Sequence, residues 1–230
     1  EGDGRWSALV RNAAPGDSYK YVIRRGDETL MRSDPYGREV TQPYGNSVVV
    51  APAPPPDEAG FSLAPLNELV IYELHVGTFA AGGFGGVIDK LPYLQALGVN
   101  ALELMPVAEF PGPCSWGYNP SHPFAVSRLY GGRDALAALI RAAHQAGIAV
   151  LIDVVYNHFG PQDLDLWRFD GWHENGHGGI YFYNDWRAAT PWGHTRPDYG
   201  RAEVQQYLAD NARMWLYELG ADGLRWDATS

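Results

Sequence analysis

The sequence predicts an α/β protein in which a short β segment precedes a larger part built on a parallel sheet. In the larger part, four strand-like stretches alternate with three helical patterns, the order that produces a parallel sheet covered by helices. The third strand, residues 148–155, is almost wholly apolar, as expected of a strand covered on both faces. A proline-rich stretch divides the two parts, so we expect separate units.

The first part, residues 1–51, has the pattern of a small β domain. Strand-like runs at 6–10 and 19–23 flank turn residues at 15–17, and a second hairpin is predicted to turn at 25–27. These are too few strands for a complete domain. We therefore expect only part of a β-sandwich.

Residues 52–66 are predicted to be a stiff linker because prolines cluster in them, and the larger part then spans 67–230. Its strands are predicted at 69–75, 101–105, 148–155 and 223–227. Its helices are predicted after a glycine-rich loop at 82–86, from the N-cap candidate Asp134, and over 202–219.

Two architectures fit this order: an open doubly wound sheet or half of a (β/α)8 TIM barrel. Four strands cannot close a barrel, so in the second case the chain holds the first half, and we expect a piece truncated at both ends. Polar and aromatic residues follow the strand ends, where ligand sites lie in both folds: His75, Trp116 to Tyr118, Asn157, His158 and Asp227.

The connection over residues 159–200 is too long for an ordinary loop and too aromatic for a disordered one. We interpret it as a small packed excursion over the site. Its rings either hold the excursion together or line a saccharide groove, and the sequence leaves both readings open.

Composition limits the partners. The net charge is −10 without a basic run, which argues against nucleic acid and anionic membrane surfaces. No apolar run is long enough to span a membrane. The single cysteine, Cys114, favours a reducing, cytoplasmic setting.

Arg225 and Asp227 are the strongest candidates for chemistry. They lie two residues apart in a strand, so they project from one face, and a guanidinium beside a carboxylate keeps it ionised as a nucleophile requires. Asp153 ends an apolar strand and needs a partner, for which Arg225 on the next strand is suited. An ordinary strand-end salt bridge and a structural histidine at 158 are the alternatives.

Two of these stretches resemble a known family. Residues 153–158 (Asp-Val-Val-Tyr-Asn-His) are similar to the first conserved region of the α-amylase superfamily, glycoside hydrolase family 13, and residues 223–227 (Gly-Leu-Arg-Trp-Asp) to its second. Residues 72–79 and 116–118 are most similar to its branching and trehalohydrolase members. The first part resembles the carbohydrate-binding-module-48-like domain of these members, and residues 159–200 resemble their domain B.

The resemblance implies that residues 67–230 are the first half of a (β/α)8 TIM barrel, with its first four strands. It also implies a retaining mechanism, through a covalent glycosyl-Asp intermediate, on α-1,4-glucans such as glycogen, starch or malto-oligosaccharides. Asp227 would be the nucleophile, and Arg225 would hold it ionised. His158 would hydrogen-bond sugar hydroxyls, Tyr118 would stack on the ring, and Asp153 would brace the cluster.

The same resemblance implies that Trp116 and Asn157 belong to the substrate-binding set. Asn157 is a calcium ligand in many α-amylases, but we predict no metal and no cofactor here. The family's acid/base Glu and third carboxylate lie beyond residue 230, so the chain alone is expected to be inactive.

Branching enzyme is the preferred activity. Trehalohydrolase or amylase-type hydrolysis is the alternative within enzymes, and a non-catalytic glucan-binding scaffold is the alternative from another class. The motifs of this sequence are shared by the enzyme candidates and do not separate them.

Overall fold

The computed structural model describes residues 7–52, 61–161 and 164–229. Its strands, in chain order, are β1 (Ser18–Tyr19), β2 (Tyr21–Arg25), β3 (Glu28–Arg32), β4 (Ser47–Val48), β5 (Ile71–Leu74), β6 (Ala101–Leu104), β7 (Ala108–Glu109), β8 (His122–Val126), β9 (Ala149–Val154) and β10 (Gly223–Trp226). Its α-helices are α1 (Val76–Phe79), α2 (Phe84–Ala96), α3 (Gly132–Gln145) and α4 (Ala202–Arg213), and a π-helical turn, Met214–Glu218, continues α4.

The four strands predicted for the larger part form one parallel sheet. Its order is β5-β6-β9-β10, so these four strands lie side by side in the order of the chain, and β7 and β8 form a separate pair. A doubly wound sheet reverses its strand order at a switch point, whereas barrel strands follow in sequence. The observed order is therefore that of a TIM-barrel-like fold.

The two faces of the sheet differ in chemistry. Leu104 and Ile152 pair in register on one face and are buried against α2 and α3 in the hydrophobic core. Each such leucine or isoleucine stabilises the fold by about 1.5–3 kcal/mol through its burial. Residues in alternation with them point the other way, and that face carries Glu103, Asp153 and Arg225.

Two helix predictions need correction. The second helix begins at Gly132 after Gly131, whose φ of 113° only glycine adopts readily, so Asp134 lies in the first turn and is not the cap. The third helix becomes π-helical after Arg213. There the buried Asn211 accepts hydrogen bonds from Trp215 Nε1 (3.0 Å) and the Tyr156 hydroxyl (2.8 Å), and this local pairing accompanies the change in winding.

The antiparallel pair β7–β8 was not predicted. It lies between β6 and α3, and β8 is buried along its whole length. Prolines at 111, 113, 120 and 123 hide its strand pattern in the sequence. The loop between the two strands carries Trp116 and Tyr118.

In the first part, the hairpin β2–β3 with its turn after Arg25 is confirmed. The strand predicted at 6–10 is wrong for residues 7–10, which are in no strand, and Trp6 lies outside the described residues. The turn at 15–17 does not join a hairpin either, because β1 pairs with β4 instead. The proposed linker, residues 52–66, is described only at residue 52 and over residues 61–66.

The first part packs against the excursion, against α4, where the Tyr207 hydroxyl donates to the carbonyl oxygen of Pro35, and against the π-helical turn that continues α4. Asp165 accepts hydrogen bonds from Lys20 Nζ (3.0 Å) and from the backbone nitrogen of Ser33 (2.7 Å), and Arg38 pairs with Glu218. The excursion itself is packed, with Phe182 buried against Trp167 at 5.5 Å between ring centroids. Over the described ranges, no helix has the length and apolar character needed to cross a membrane.

Candidate active site

Asp153, Arg225 and Asp227 meet at the carboxyl end of the sheet. Asp153 in β9 and Arg225 in β10 are register partners, so their side chains leave the same face side by side. Arg225 Nη1 donates to Asp153 Oδ1 (3.1 Å) and Oδ2 (3.0 Å) and to Asp227 Oδ1 (2.9 Å). The predicted pairing of Asp153 with Arg225 is confirmed, and one guanidinium nitrogen bridges both carboxylates.

Burial shapes the protonation of this cluster. The side chain of Asp153 is fully buried, and this burial raises its pKa to about 6, against the lowering effect of hydrogen bonds from Tyr118 and Arg225. Burial also disfavours the charged form of Arg225. Its hydrogen bonds to Asp227 and Asp153 outweigh that effect and raise its pKa, so the guanidinium remains charged.

Tyr118 joins the cluster from the β7–β8 loop. Its hydroxyl donates to Asp153 Oδ2 at 2.8 Å. Gly117 makes this position possible because its φ is 91° and its Cα faces the carbonyl oxygen of Pro106, where a Cβ would clash. The loop is fixed further by His75, whose Nε2 lies 2.9 Å from the carbonyl oxygen of Ser115.

His158 is buried beside Tyr118, with 2% of its surface exposed. Its Nε2 lies 2.8 Å from the carbonyl oxygen of Tyr118, which can only accept, so this nitrogen carries the proton. Nδ1 then accepts from Asn157 Nδ2 at 3.3 Å. Burial lowers the pKa of His158, which favours the neutral ring.

Trp192 covers the imidazole of His158. The two rings stack with centroids 4.7 Å apart and planes 16° from parallel. A tight turn holds Trp192, because Thr190 and Gly193 exchange backbone hydrogen bonds and the backbone nitrogen of Trp192 donates to Thr190 Oγ1. The indole remains 61% exposed, so it offers a flat apolar surface beside the cluster.

The structure brings together five of the seven residues predicted for the site: Asp153, Arg225, Asp227, Tyr118 and His158. Asn157 contacts the cluster through His158 alone among the hydrogen bonds of the described residues. Trp116 is 71% exposed on the same loop as Tyr118 and, within the described ranges, shows no hydrogen bond or ring contact to the cluster.

Sequence analysis assigned no specific role to three residues that lie near the cluster. Glu103 was not named as a candidate, yet its Oε1 is 4.0 Å from Arg225 Nε. The available signal was its place between the core residues Leu102 and Leu104 of β6, because alternation along a strand puts Glu103 on the opposite, polar face. Trp192 stood out only as one of many aromatics, and no sequence signal marked the contact of His75 with the Tyr118 loop.

Two further features bear on where ligands can bind. A cleft of about 2220 Å³ lies between the N-terminal strands and the π-helical turn after α4. None of its lining residues belongs to the cluster, and the lining includes Tyr21, Phe169 and Tyr217. The described residues contain no group of three or more His, Cys, Asp or Glu side chains that could hold a metal ion. The absence of a metal in the functional protein stays a prediction.

A family profile, several curated proteins and several solved structures match this chain, and their descriptions agree with one another. The profile of the α-amylase catalytic domain matches residues 31–168. The malto-oligosyltrehalose trehalohydrolase of Saccharolobus solfataricus is 38% identical over 228 residues, covering 98% of this chain and 38% of that protein. The 1,4-α-glucan branching enzyme of Dechloromonas aromatica is 36% identical over 249 residues, covering 99% of this chain and 39% of that protein.

A crystal structure from Salmonella typhimurium, described as an alpha amylase, superposes with a TM-score of 0.83 at 34% identity. The match covers 96% of this chain and 36% of the other. The chain thus spans less than two-fifths of the length of the relatives it matches.

Proposed function

Because the chain belongs to the α-amylase family of glycoside hydrolases, we propose that it supplies the nucleophile side of a retaining active site for α-1,4-glucosidic bonds. Asp227 is the nucleophile. The observation that carries this assignment is the bridge from Arg225 Nη1 to both Asp227 and Asp153, which orients the Asp227 carboxylate at the open end of the sheet.

In the proposed reaction, the Asp227 carboxylate attacks the anomeric carbon and the bond to the leaving oxygen breaks. A second carboxylic acid, about 5–5.5 Å away in retaining enzymes, protonates that oxygen. The resulting glycosyl ester is then attacked by water or by an acceptor hydroxyl, whose proton returns to the second carboxylate. Arg225 stabilises the Asp227 carboxylate when it leaves the sugar.

The substrate is proposed to be an α-glucan such as glycogen, starch or a malto-oligosaccharide. Tyr118 and the exposed face of Trp192 offer rings on which sugars can stack. His158 has both ring nitrogens engaged, so its contact with sugar hydroxyls requires one of these bonds to give way. Trp116 and Asn157 are proposed to contact more distant sugar units.

We also propose a more detailed architecture, which is based on the sequential strand order and on the greater length of the relatives. Residues 67–230 form the first half of a (β/α)8 barrel, with 159–200 as an excursion of the domain-B kind. Residues 1–51 are part of a β-sandwich, and 52–66 are the linker. The acid/base Glu and the third carboxylate come from outside these 230 residues.

Three activities remain as candidates for the complete protein. Branching, our preference, transfers the glycosyl group to a glucan 6-hydroxyl, whereas trehalohydrolase and amylase transfer it to water. The relatives of the first two kinds are 36% and 38% identical to this chain, so identity does not separate them. A non-catalytic glucan-binding scaffold is the alternative outside enzymes.

The test is product analysis of the complete protein on amylose and on a maltooligosyl trehalose. New α-1,6 branches identify branching, released trehalose identifies trehalohydrolase, and shortened linear glucans identify amylase-type hydrolysis. Asp227→Asn should lower each by about 10⁴-fold, and the 230-residue chain alone should give no turnover. Glucan binding without any product from the complete protein would support the scaffold instead.

We also propose that the protein works in the cytoplasm. Cys114 is free and exposed, as expected for a protein of the reducing cytoplasm.

A further inference from the structure

Glu103 lies on the polar face of the sheet, next to the proposed catalytic cluster. In β6 it pairs in register with Glu73 of β5 on one side and Leu151 of β9 on the other. Asp153 follows Leu151 by two residues, and its partner Arg225 shares the same face. The Glu103 side chain is 18% exposed, so it is partly buried beside the cluster.

Arg225 uses different edges of its guanidinium for its neighbours. Nη1 binds Asp153 and Asp227, while Nε faces Glu103 Oε1 at 4.0 Å. The guanidinium is planar and rigid, so the ionic attraction at its Nε edge restricts the orientation of a group that Nη1 already anchors. With Nη1 alone held, the group could rotate about that contact.

The charges around Glu103 come from each packed element. Glu73 faces it from β5, Arg225 from β10 and Asp153 from β9, with Tyr118 and Asp227 beyond. Burial raises the pKa of Glu103 and so does repulsion by Glu73, whereas Arg225 lowers it. Its ionisation is therefore sensitive to both of its charged neighbours.

We propose that Glu103 is a positioning residue that, when ionised, holds the Nε edge of Arg225 and so keeps Nη1 on the proposed nucleophile. The proposal rests on the function proposed above. It predicts that Glu103 acts on the chemical step through Arg225 and leaves the binding of distant sugar units unaffected.

The experiment compares Glu103→Gln, Glu103→Leu and Glu73→Gln in the complete protein, with kcat and KM on amylose measured across pH. Glu103→Leu should lower kcat about tenfold with little change in KM. Glu103→Gln should have an intermediate kcat, because its amide oxygen can still face Nε. The acidic side of its pH–kcat profile should move to lower pH, because a titrating neighbour of the catalytic cluster is gone.

Glu73→Gln is the matched control. It removes a carboxylate from the same face and register without touching Arg225, so kcat at neutral pH should remain. Its acid limb should also move to lower pH, because loss of the Glu73 charge makes Glu103 ionise more readily.

Two results would overturn the proposal. The first is a wild-type kcat and pH profile in both Glu103 variants, and the second is a loss of kcat in Glu73→Gln equal to that in Glu103→Leu. If Glu103→Leu does not fold, as judged by thermal unfolding, the isosteric Glu103→Gln decides by the same criteria. A wild-type protein without any glycosyl transfer or hydrolysis would instead refute the proposed function.

Discussion

At the scale of single residues, the candidate site is organised by Arg225. Its Nη1 contacts two carboxylates, and Tyr118 and His158 approach the same cluster from the neighbouring loops. A buried carboxylate such as Asp153 is costly unless it is paired and hydrogen-bonded. The site therefore depends on a small number of polar contacts that can be removed one at a time.

The hydrogen bond from the Tyr118 hydroxyl should influence the pH at which activity is lost on the acidic side of the pH–activity profile. Its hydrogen bond lowers the pKa of Asp153, which burial raises to about 6, so Tyr118→Phe should raise that pKa further. Because the ionised form is the one that pairs with Arg225, the acid limb of kcat/KM in the complete protein should move to higher pH. Tyr93→Phe, at an exposed tyrosine of α2, should leave the profile unchanged. A Tyr118→Phe profile identical to the wild type would contradict this.

His122 should make the protein less stable in acid. It is buried in β8 near Asp165 and Lys20, and burial lowers its pKa from 6.5 to about 4. Between these values the unfolded chain binds more protons than the folded one, so the free energy of unfolding falls as the pH is lowered from 6.5 to 4. The full effect is roughly 3 kcal/mol.

Urea unfolding of His122→Gln across this pH range is the measurement. The variant should be less stable at neutral pH and should show a shallower loss of stability on acidification. His173→Gln, at an exposed histidine, is the control and should keep the wild-type slope. Equal slopes for wild type and His122→Gln would disprove the assignment.

At the scale of elements, the β7–β8 loop and the turn at Trp192 supply the parts of the site that the sheet cannot. The sheet fixes Asp153 and Arg225 through register alone. Tyr118 reaches them only because Gly117 lets its loop pass close to Pro106 and because His75 holds the loop at Ser115. These connections determine which side chains face the cluster.

Gly117→Ala should therefore displace Tyr118. A Cβ at this position would overlap the carbonyl oxygen of Pro106, and the φ of 91° is unfavourable for alanine. In the complete protein we expect kcat/KM to fall at least tenfold, together with the shift of the acid limb predicted for Tyr118→Phe. Gly85→Ala in α2 is the control: its Cβ would meet open space and should stabilise the helix by about 0.5–1 kcal/mol. Unchanged kinetics in Gly117→Ala would show that the loop tolerates the shift.

At the scale of the whole molecule, the N-terminal β segment is attached to the excursion and α4 by polar contacts. Asp165 accepts hydrogen bonds from the backbone nitrogen and hydroxyl of Ser33 and from Lys20. Burial opposes its ionisation, but these donors outweigh burial and lower its pKa. The small unit and the excursion thus stabilise each other at neutral pH.

Asp165→Asn should weaken this attachment. An amide can satisfy fewer of the three donors, and a buried donor left unpaired costs about 1–3 kcal/mol. We expect a lower Tm in the complete protein and faster proteolysis near residue 165. Asp89→Asn, at an exposed position of α2, should change neither. If both variants unfold alike, the contact contributes nothing to stability.

Much of the fold could be predicted from the sequence, because the strands of a buried parallel sheet are apolar and the helices repeat with a clear period. The pairing of Asp153 with Arg225 followed from the cost of burying a carboxylate. The strand β8 and the π-helical turn after Arg213 could not be predicted, because prolines mask the first and a tertiary hydrogen bond from Tyr156 to Asn211 accompanies the second. Glu103 was overlooked since its proximity to Arg225 depends on register across three strands.

The most direct test of the account is to trap the covalent intermediate. The complete protein is incubated with an activated fluorinated α-glucosyl donor, and peptides are analysed by mass spectrometry. The account predicts a glycosyl ester on Asp227, abolished in Asp227→Asn and formed more slowly in Glu103→Leu. An ester on another carboxylate, or turnover of the donor by Asp227→Asn at the wild-type rate, would contradict it.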